Sequence, residues 1–322
     1  MSAPFHIRPF EESTDFPGVA RVYSEIHEKL ITAESLADDY ARLDREHYAF
    51  ASWVAEVDGE IVGVALYQQH PGQYHPRKYY LELGVLPAYR RRGIGGALYR
   101  KLHEELEPLD PIALRGGTRE HWADSVAFLL HRGFEEEMRS WESRLDLSTF
   151  HPEAFTAHVA AAEAAGYAFQ SFVDLATDPD RDQKLYELVK VARRDIPSAE
   201  PLTDLTFEQW KKGIDRPQFF PEAYMVAIKD GQMVGVSTMW TTDEADVAET
   251  GVTAVLREHR GVGVAKALKI KALGVVKAMG GYRKVKTWNA TTNGPMLAIN
   301  EWLGFVRQPA WISCRLQLKV EE

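Results

Sequence analysis

The chain has 322 residues, enough for two domains of ordinary size, and its 45% hydrophobic and 26% charged residues are those of a globular protein. Its net charge of −9 argues against the basic face that duplex nucleic-acid binding needs. Eight of those negative charges lie in the first 150 residues, where they suit either a cationic small molecule or plain solvated surface. The single cysteine, Cys314, rules out an intrachain disulfide framework, so a reducing, cytoplasmic setting is expected. No apolar segment follows Met1, and runs such as 61–67 fall far short of the ~20 residues of a membrane span. Neither a signal peptide nor a membrane partner is expected.

In chain order, an opening strand and helical segments near 18–30 and 35–46 precede two alternating apolar runs, 51–57 and 61–68. Asp58-Gly59 between these runs predicts a hairpin. A strand over 79–85 leads into the glycine-rich stretch Arg90-Arg91-Arg92-Gly93-Ile94-Gly95-Gly96. A helix over 95–107 follows, with Leu98, Leu102 and Leu106 on one face, then a strand near 111–115 and a helix near 122–131. After a closing hairpin or strand, the Ala-rich stretch 152–165 reads as a linking helix stopped at Gly166.

The same order then repeats. Helices are expected near 182–191 and 206–212, and a hairpin over 224–229 and 233–240 around Asp230-Gly231. A strand over 247–255 runs into Arg260-Gly261-Val262-Gly263-Val264-Ala265-Lys266, followed by a helix over 264–279, a strand over 284–287 and a helix near 296–302. Arg90 and Arg260 are 170 positions apart. Gly133-Phe134 and Gly304-Phe305 stand 40 and 41 residues after Gly93 and Gly263. Two motifs at matched spacing, twice, mean two copies of one β-α-α-β-β-β-α-β-α-β domain, a mixed α/β (α+β) fold. The boundaries are placed at 1–149, 150–166 for the linking helix and 167–322.

Glycines that lead from a strand into a helix bring backbone N–H groups close to a ligand, and the helix N-terminus favours negative charge. Such a loop suits a pyrophosphate. It is neither a nucleotide-hydrolysing P-loop nor a dinucleotide-binding fingerprint, because the spacing differs and the loop follows a fourth strand. No histidine pair shows metal-ligand spacing, so no metal is expected.

The stretches 85–98 and 255–268 resemble motif A of the GNAT N-acetyltransferase superfamily, and His131-Arg-Gly-Phe134 and Trp302-Leu-Gly-Phe305 resemble its motif B. The tandem layout is similar to that of mycothiol synthase. The resemblance implies acetyl-CoA as cofactor, its pyrophosphate held by backbone N–H groups of Arg91 to Gly96 and of Gly261 to Lys266. It implies that the strands ending at Val85 and Val255 pair with the pantetheine arm and offer an oxyanion donor. Arg90 and Arg260 either touch phosphate or hold the loop. Asn293 either reaches the cofactor or caps its helix.

Family members often carry a base, a strand glutamate eleven residues before the motif-A Arg. That position is Glu249 in the second copy and Tyr79 in the first, where Glu82 stands at another register. The usual acid, a tyrosine four residues before the motif-B glycine, is replaced by Leu129 and Asn300. Asn300 can donate a hydrogen bond but gives up no proton at neutral pH. The C-terminal copy is therefore the expected catalytic one, with Asp195 and Glu200 as candidate amine ligands. The expected function is N-acetyl transfer to a primary amine of a small molecule. A non-catalytic acyl-CoA-binding protein and a protein N-acetyltransferase remain alternatives, and monomer and homodimer are both open.

Overall fold

The computed structural model describes residues 4–320, so the first three residues of the N-terminal stretch just discussed lie outside it. The first half runs β1 (His6–Pro9), α1 (Phe16–His27), α2 (Ala33–Ala41), β2 (Phe50–Val57), β3 (Glu60–Gln68), β4 (Lys78–Val85), α3 (Ile94–Leu106), β5 (Ala113–Arg119), α4 (Ala123–Leu130) and β6 (Glu135–Asp146). The second half runs α5 (Thr156–Ala164), β7 (Tyr167–Ser171), α6 (Arg181–Ala192), α7 (Phe207–Ile214), β8 (Met225–Lys229), β9 (Gln232–Thr241), β10 (Val247–Val255), α8 (Val264–Met279), β11 (Lys284–Ala290), α9 (Gly294–Trp302), β12 (Val306–Arg307) and β13 (Trp311–Gln317). Among the described residues no helix is long and apolar enough to cross a membrane.

Local chemistry accounts for the repeated order. Asp58 and Gly59 have φ of 52° and 82°, and Asp230 and Gly231 have 50° and 76°. Positive φ at both central residues is the tight turn whose twist suits a hairpin, and Asp-Gly tolerates it. Both hairpins form, β2/β3 and β8/β9. Leu98, Leu102 and Leu106 on α3 are buried, as are Leu268, Ala272 and Val276 on α8. The four-residue spacing puts each set on the face that meets the sheet. Gly166, with φ +84°, stops the chain after α5.

Two compact units result, 1–137 with 312–322, and 138–311, referred to below as the N-terminal and C-terminal units. In the N-terminal unit the strand order is β1-β2-β3-β4-β5-β13. Strands β1 to β4 pair antiparallel, and β4 pairs with β5 in parallel. In the C-terminal unit β7 to β10 pair antiparallel, β10 pairs with β11 in parallel, and β6 closes the sheet against β11. The last strand of each repeat thus belongs to the other repeat's unit. Ile312 and Cys314 are part of the N-terminal core, and Leu145 is part of the C-terminal one. The contiguous boundaries at 149/150 and 166/167 follow the repeat, whereas the units follow these exchanged strands. β13 alternates Ile312, Cys314 and Leu316 with polar residues, whereas β6 carries only Met138, Trp141 and Leu145 at irregular spacing, and neither pattern says which sheet receives the strand.

Leu145→Ala should therefore destabilise the C-terminal unit and Ile312→Ala the N-terminal unit, each by about 2–4 kcal/mol as buried large-to-small changes. Hydrogen exchange read by mass spectrometry locates the loss, and faster exchange in the unit that holds the substitution by sequence position would contradict the exchange of strands.

Candidate active site

In each unit the sheet opens where its parallel pair of strands ends. The parallel pair β4/β5 runs from Lys78↔Ala113 to Tyr80↔Arg115 and stops, although β4 continues to Val85 and β5 to Arg119. The pair β10/β11 likewise ends at Thr250↔Thr287, short of Val255 and Ala290. Beyond those points the strands part and leave a gap between them.

The register aims backbone donors into that gap. Leu86 N–H donates to Val62 O and Leu256 N–H to Val234 O. The neighbouring pairs Val85↔Gly63 and Val255↔Gly235 are then the non-hydrogen-bonded kind, so the N–H and C=O of Val85 and Val255 face away from β3 and β9. Their carbonyls accept from Arg90 Nε at 3.1 Å and Arg260 Nε at 2.8 Å. These arginines thus tie each loop back to the strand it leaves. The Val85 and Val255 amides point into the gap.

The loops themselves are nearly superposable in backbone terms. Arg91 (φ +61°) and Gly261 (φ +82°) occupy the left-handed region, and so do Gly93 (φ +86°) and Gly263 (φ +88°), which cap α3 and α8. Ala97 N–H donates to Gly93 O and Ala267 N–H to Gly263 O, which are the first helical bonds. Among the described residues, the amides from Arg91 to Gly96 and from Gly261 to Lys266 have no partner. Six unpaired donors at a helix N-terminus form a cradle that fits a pyrophosphate. A Cβ at Gly93, Gly261 or Gly263 would meet nothing within 4 Å, so the cradle opens outward. Ile94 and Val264, by contrast, are buried and anchor the helix starts. Val262 is half exposed, Ala265 packs against the core, and the Lys266 ammonium lies 4.4 Å from the Trp302 ring. Arg92 folds back onto Ala88 O and the Tyr89 ring.

The two openings differ in detail. β9/β10 carries a β-bulge in which Gly251 and Val252 stand opposite the single residue Thr238, whereas β3/β4 runs unbroken from Gly63↔Val85 to Gln68↔Tyr80. The bulge adds one residue, so the place of Glu249 is taken in the N-terminal unit by Tyr80 and not by Tyr79, as simple counting had it. Gly251 is required there, because a Cβ would stand 2.5 Å from both Thr238 Oγ1 and Trp240 Nε1.

Glu249 pairs across the strands with Trp240 and Lys286, so the three side chains share one face. Its side chain is 33% exposed. Lys286 Nζ sits 3.7 Å from Glu249 Oε2 but only 2.5 Å from Glu244 Oε1, and Arg144 bridges Glu244 to Glu142. Burial raises the Glu249 carboxyl above its ordinary value, and the shared lysine offsets only part of the shift. Asn300 lies on the opposite face. It is buried on α9, donates to Asn289 Oδ1 at 2.6 Å, and its own oxygen has no partner among the described residues. The Asn293 oxygen caps α9 through Met296 N–H. Asp195, picked out as an amine ligand, is occupied: Arg257 and Arg260 both bind it and hold its carboxyl well below the usual range. Glu200 is buried in the loop before α7, away from solvent. In the N-terminal unit Glu82 meets His27 of α1, with Nε2 and Oε1 3.3 Å apart. Sequence patterns give no sign of Lys286, Asn289 or His27, because each becomes relevant only through a partner distant in the chain.

The acetyltransferase (GNAT) family model matches residues 17–134 and again 183–305. Among solved structures, a GCN5-related N-acetyltransferase from Sphaerobacter thermophilus is similar over 100% of this chain and 99% of its own, at 20% identity and a TM-score of 0.75. A tandem GNAT protein from the clavulanic acid biosynthesis pathway is similar over 99% of this chain and 100% of its own, at 20% identity and a TM-score of 0.76. No curated protein matches the chain. At such identity the solved structures speak for the fold, whereas the family model, matched twice and over most of the length, speaks for descent: the chain belongs to the GNAT acetyltransferase family.

Proposed function

We propose that the protein transfers an acetyl group from acetyl-CoA to a primary amine of a small molecule, with the chemistry in the C-terminal unit. The reading rests above all on one juxtaposition: the six unpaired amides of residues 261–266 stand beside the open end of β10/β11, with Glu249 on the wall of that opening. Acetyl-CoA, when bound, supplies an acyl group activated as a thioester. The amides of Gly261 to Lys266 would hold its pyrophosphate, and Arg260, tied to Val255 O and Asp195, keeps the loop in shape for it. Asp195 therefore serves the loop, and the amine is left to other groups. The Val255 N–H, aimed into the gap, suits an oxyanion. Glu249 takes the proton of the incoming ammonium, and its raised pKa brings it closer to the working pH of a general base. Trp240, laid over Gly251, narrows the acceptor side.

Gly263→Trp should remove acetyl-CoA binding from the C-terminal unit, since the new side chain enters the open cradle while the fold bears only the ~1–2 kcal/mol of a left-handed non-glycine residue. Calorimetry would then lose one site, and an unchanged isotherm would rule out this loop. Glu249→Gln should lower kcat by about 10²–10⁴. It should also erase the acidic limb of the pH–rate profile, which lies above the ordinary carboxylate range because burial favours the protonated form; a limb that persists assigns the base elsewhere. The non-catalytic alternative draws on Leu129 and Asn300, neither of which can give a proton, and CoA thiol release with any primary amine would eliminate it.

A further inference from the structure

The N-terminal unit holds a second constellation that the proposed C-terminal chemistry leaves unused. It begins with a glycine. A Cβ on Gly84 would stand 2.2 Å from Ile26 Cδ1, so its absence lets α1 lie directly on β4. Glu82, two residues earlier, shares the face of Gly84 and looks toward the same helix. His27 follows Ile26 at the end of α1, and the two side chains meet at 3.3 Å. Glu82 lies beyond the last β4/β5 pair, Tyr80↔Arg115, and so borders the gap.

Three further observations converge on the pair. Tyr23, one helical turn before His27, stacks on it with centroids 5.7 Å apart. Trp122 reaches it from the turn that leads into α4, beyond the far strand of the gap, at 6.4 Å. Among the described residues His27 is Glu82's only hydrogen-bond or ion-pair partner, and both side chains keep about 30% of their surface open to solvent. Burial, with the charge of Glu82 added to it, pushes the hydroxyls of Tyr23, Tyr40 and Tyr80 up, the last two to about 12, so all three remain donors. A carboxylate with spare acceptor capacity, an imidazole and a wall of rings therefore meet at the mouth of the gap. Rings and carboxylate together favour a cation.

We propose that the N-terminal unit has an amine site of its own, in which Glu82 holds a primary ammonium, His27 takes its proton, and Tyr23 and Trp122 wall the aromatic or short apolar arm that carries it. With Nε2–H turned to Glu82, the Nδ1 lone pair accepts the proton, leaving a neutral amine and an imidazolium paired with the carboxylate. In the C-terminal unit Ala254 stands in place of Gly84 and Trp240 covers the bulge, so this arrangement belongs to the N-terminal unit alone. The purpose of the site rests on the acetyl-transfer reading, but its existence can be tested without acetyl-CoA.

The test uses the full chain with histidines labelled at carbon Cε1, titrated with 2-phenylethylamine and with n-butylamine. 2-Phenylethanol serves as the uncharged control. The His27 resonance, assigned by its loss in His27→Gln, should shift with either amine and not with the alcohol. Calorimetry should show Glu82→Gln and His27→Gln each weakening amine binding at least tenfold, and the His27 Cε1 resonance should move toward the imidazolium position with no net proton uptake from the buffer, because the proton arrives on the ammonium. Both substituted side chains are partly exposed and near-isosteric, so the fold should survive, and circular dichroism would check it. A His27 signal that neither amine moves, or Glu82→Gln binding as tight as the original, would overturn the proposal. CoA thiol release is followed in the same preparation: its absence with intact amine binding counts against acetyl transfer, whereas its presence without any His27 response counts against this site.

Discussion

Both candidate sites of this chain depend on parallel strands that fail to stay together. A parallel pair keeps its evenly spaced bonds only while both strands share a direction. In β4/β5 they do so for three residue pairs and in β10/β11 for four, after which the strands diverge. The divergence leaves backbone donors without partners in the middle of a sheet, which a fold tolerates only where something else can satisfy them. The glycine loops extend the same deficit. Residues 91–96 and 261–266 add six unpaired amides to each opening, so one contiguous run of donors lies between the strand end and the first helical turn.

The repeats share this frame and differ in what they place on it. One inserted residue in β10 shifts the strand register, positions Glu249 beside Lys286 and requires a glycine at 251 under the Trp240 indole. The other repeat has no bulge, carries Tyr80 at the Glu249 position and brings α1 down onto β4 through Gly84. Side-chain chemistry has diverged more than backbone chemistry because the loop contributes main-chain donors, which substitution hardly touches. The face of the sheet contributes only side chains.

Charge is managed differently around the two openings. In the C-terminal unit Glu142, Arg144, Glu244, Lys286 and Glu249 form a chain of ion pairs with one more carboxylate than cation, and Glu249 stands at its weakly paired end. That position explains a carboxyl raised by burial despite a lysine within 4 Å. Asp195, at the mouth of the loop, shows the reverse: two guanidinium groups hold it firmly ionised. A carboxylate is thus a candidate proton carrier or a fixed counter-ion according to how many cations reach it.

The sequence alone determined the duplication, the order of elements and the loops, since each rests on local chemistry. Asp-Gly turns, leucines at four-residue spacing and glycines at helix starts act within a few residues of themselves, and all appear where expected. Tertiary structure decided the rest. The exchange of β6 and β13 depends on which sheet edge each closing strand meets, which the residues of neither strand specify. The partners of Asp195 lie 62 and 65 residues away, that of Glu82 lies 55, and the bulge that moves the first copy's equivalent of Glu249 to Tyr80 is a property of pairing between two strands. Local pattern cannot encode such contacts, because they exist only once distant segments have packed against one another.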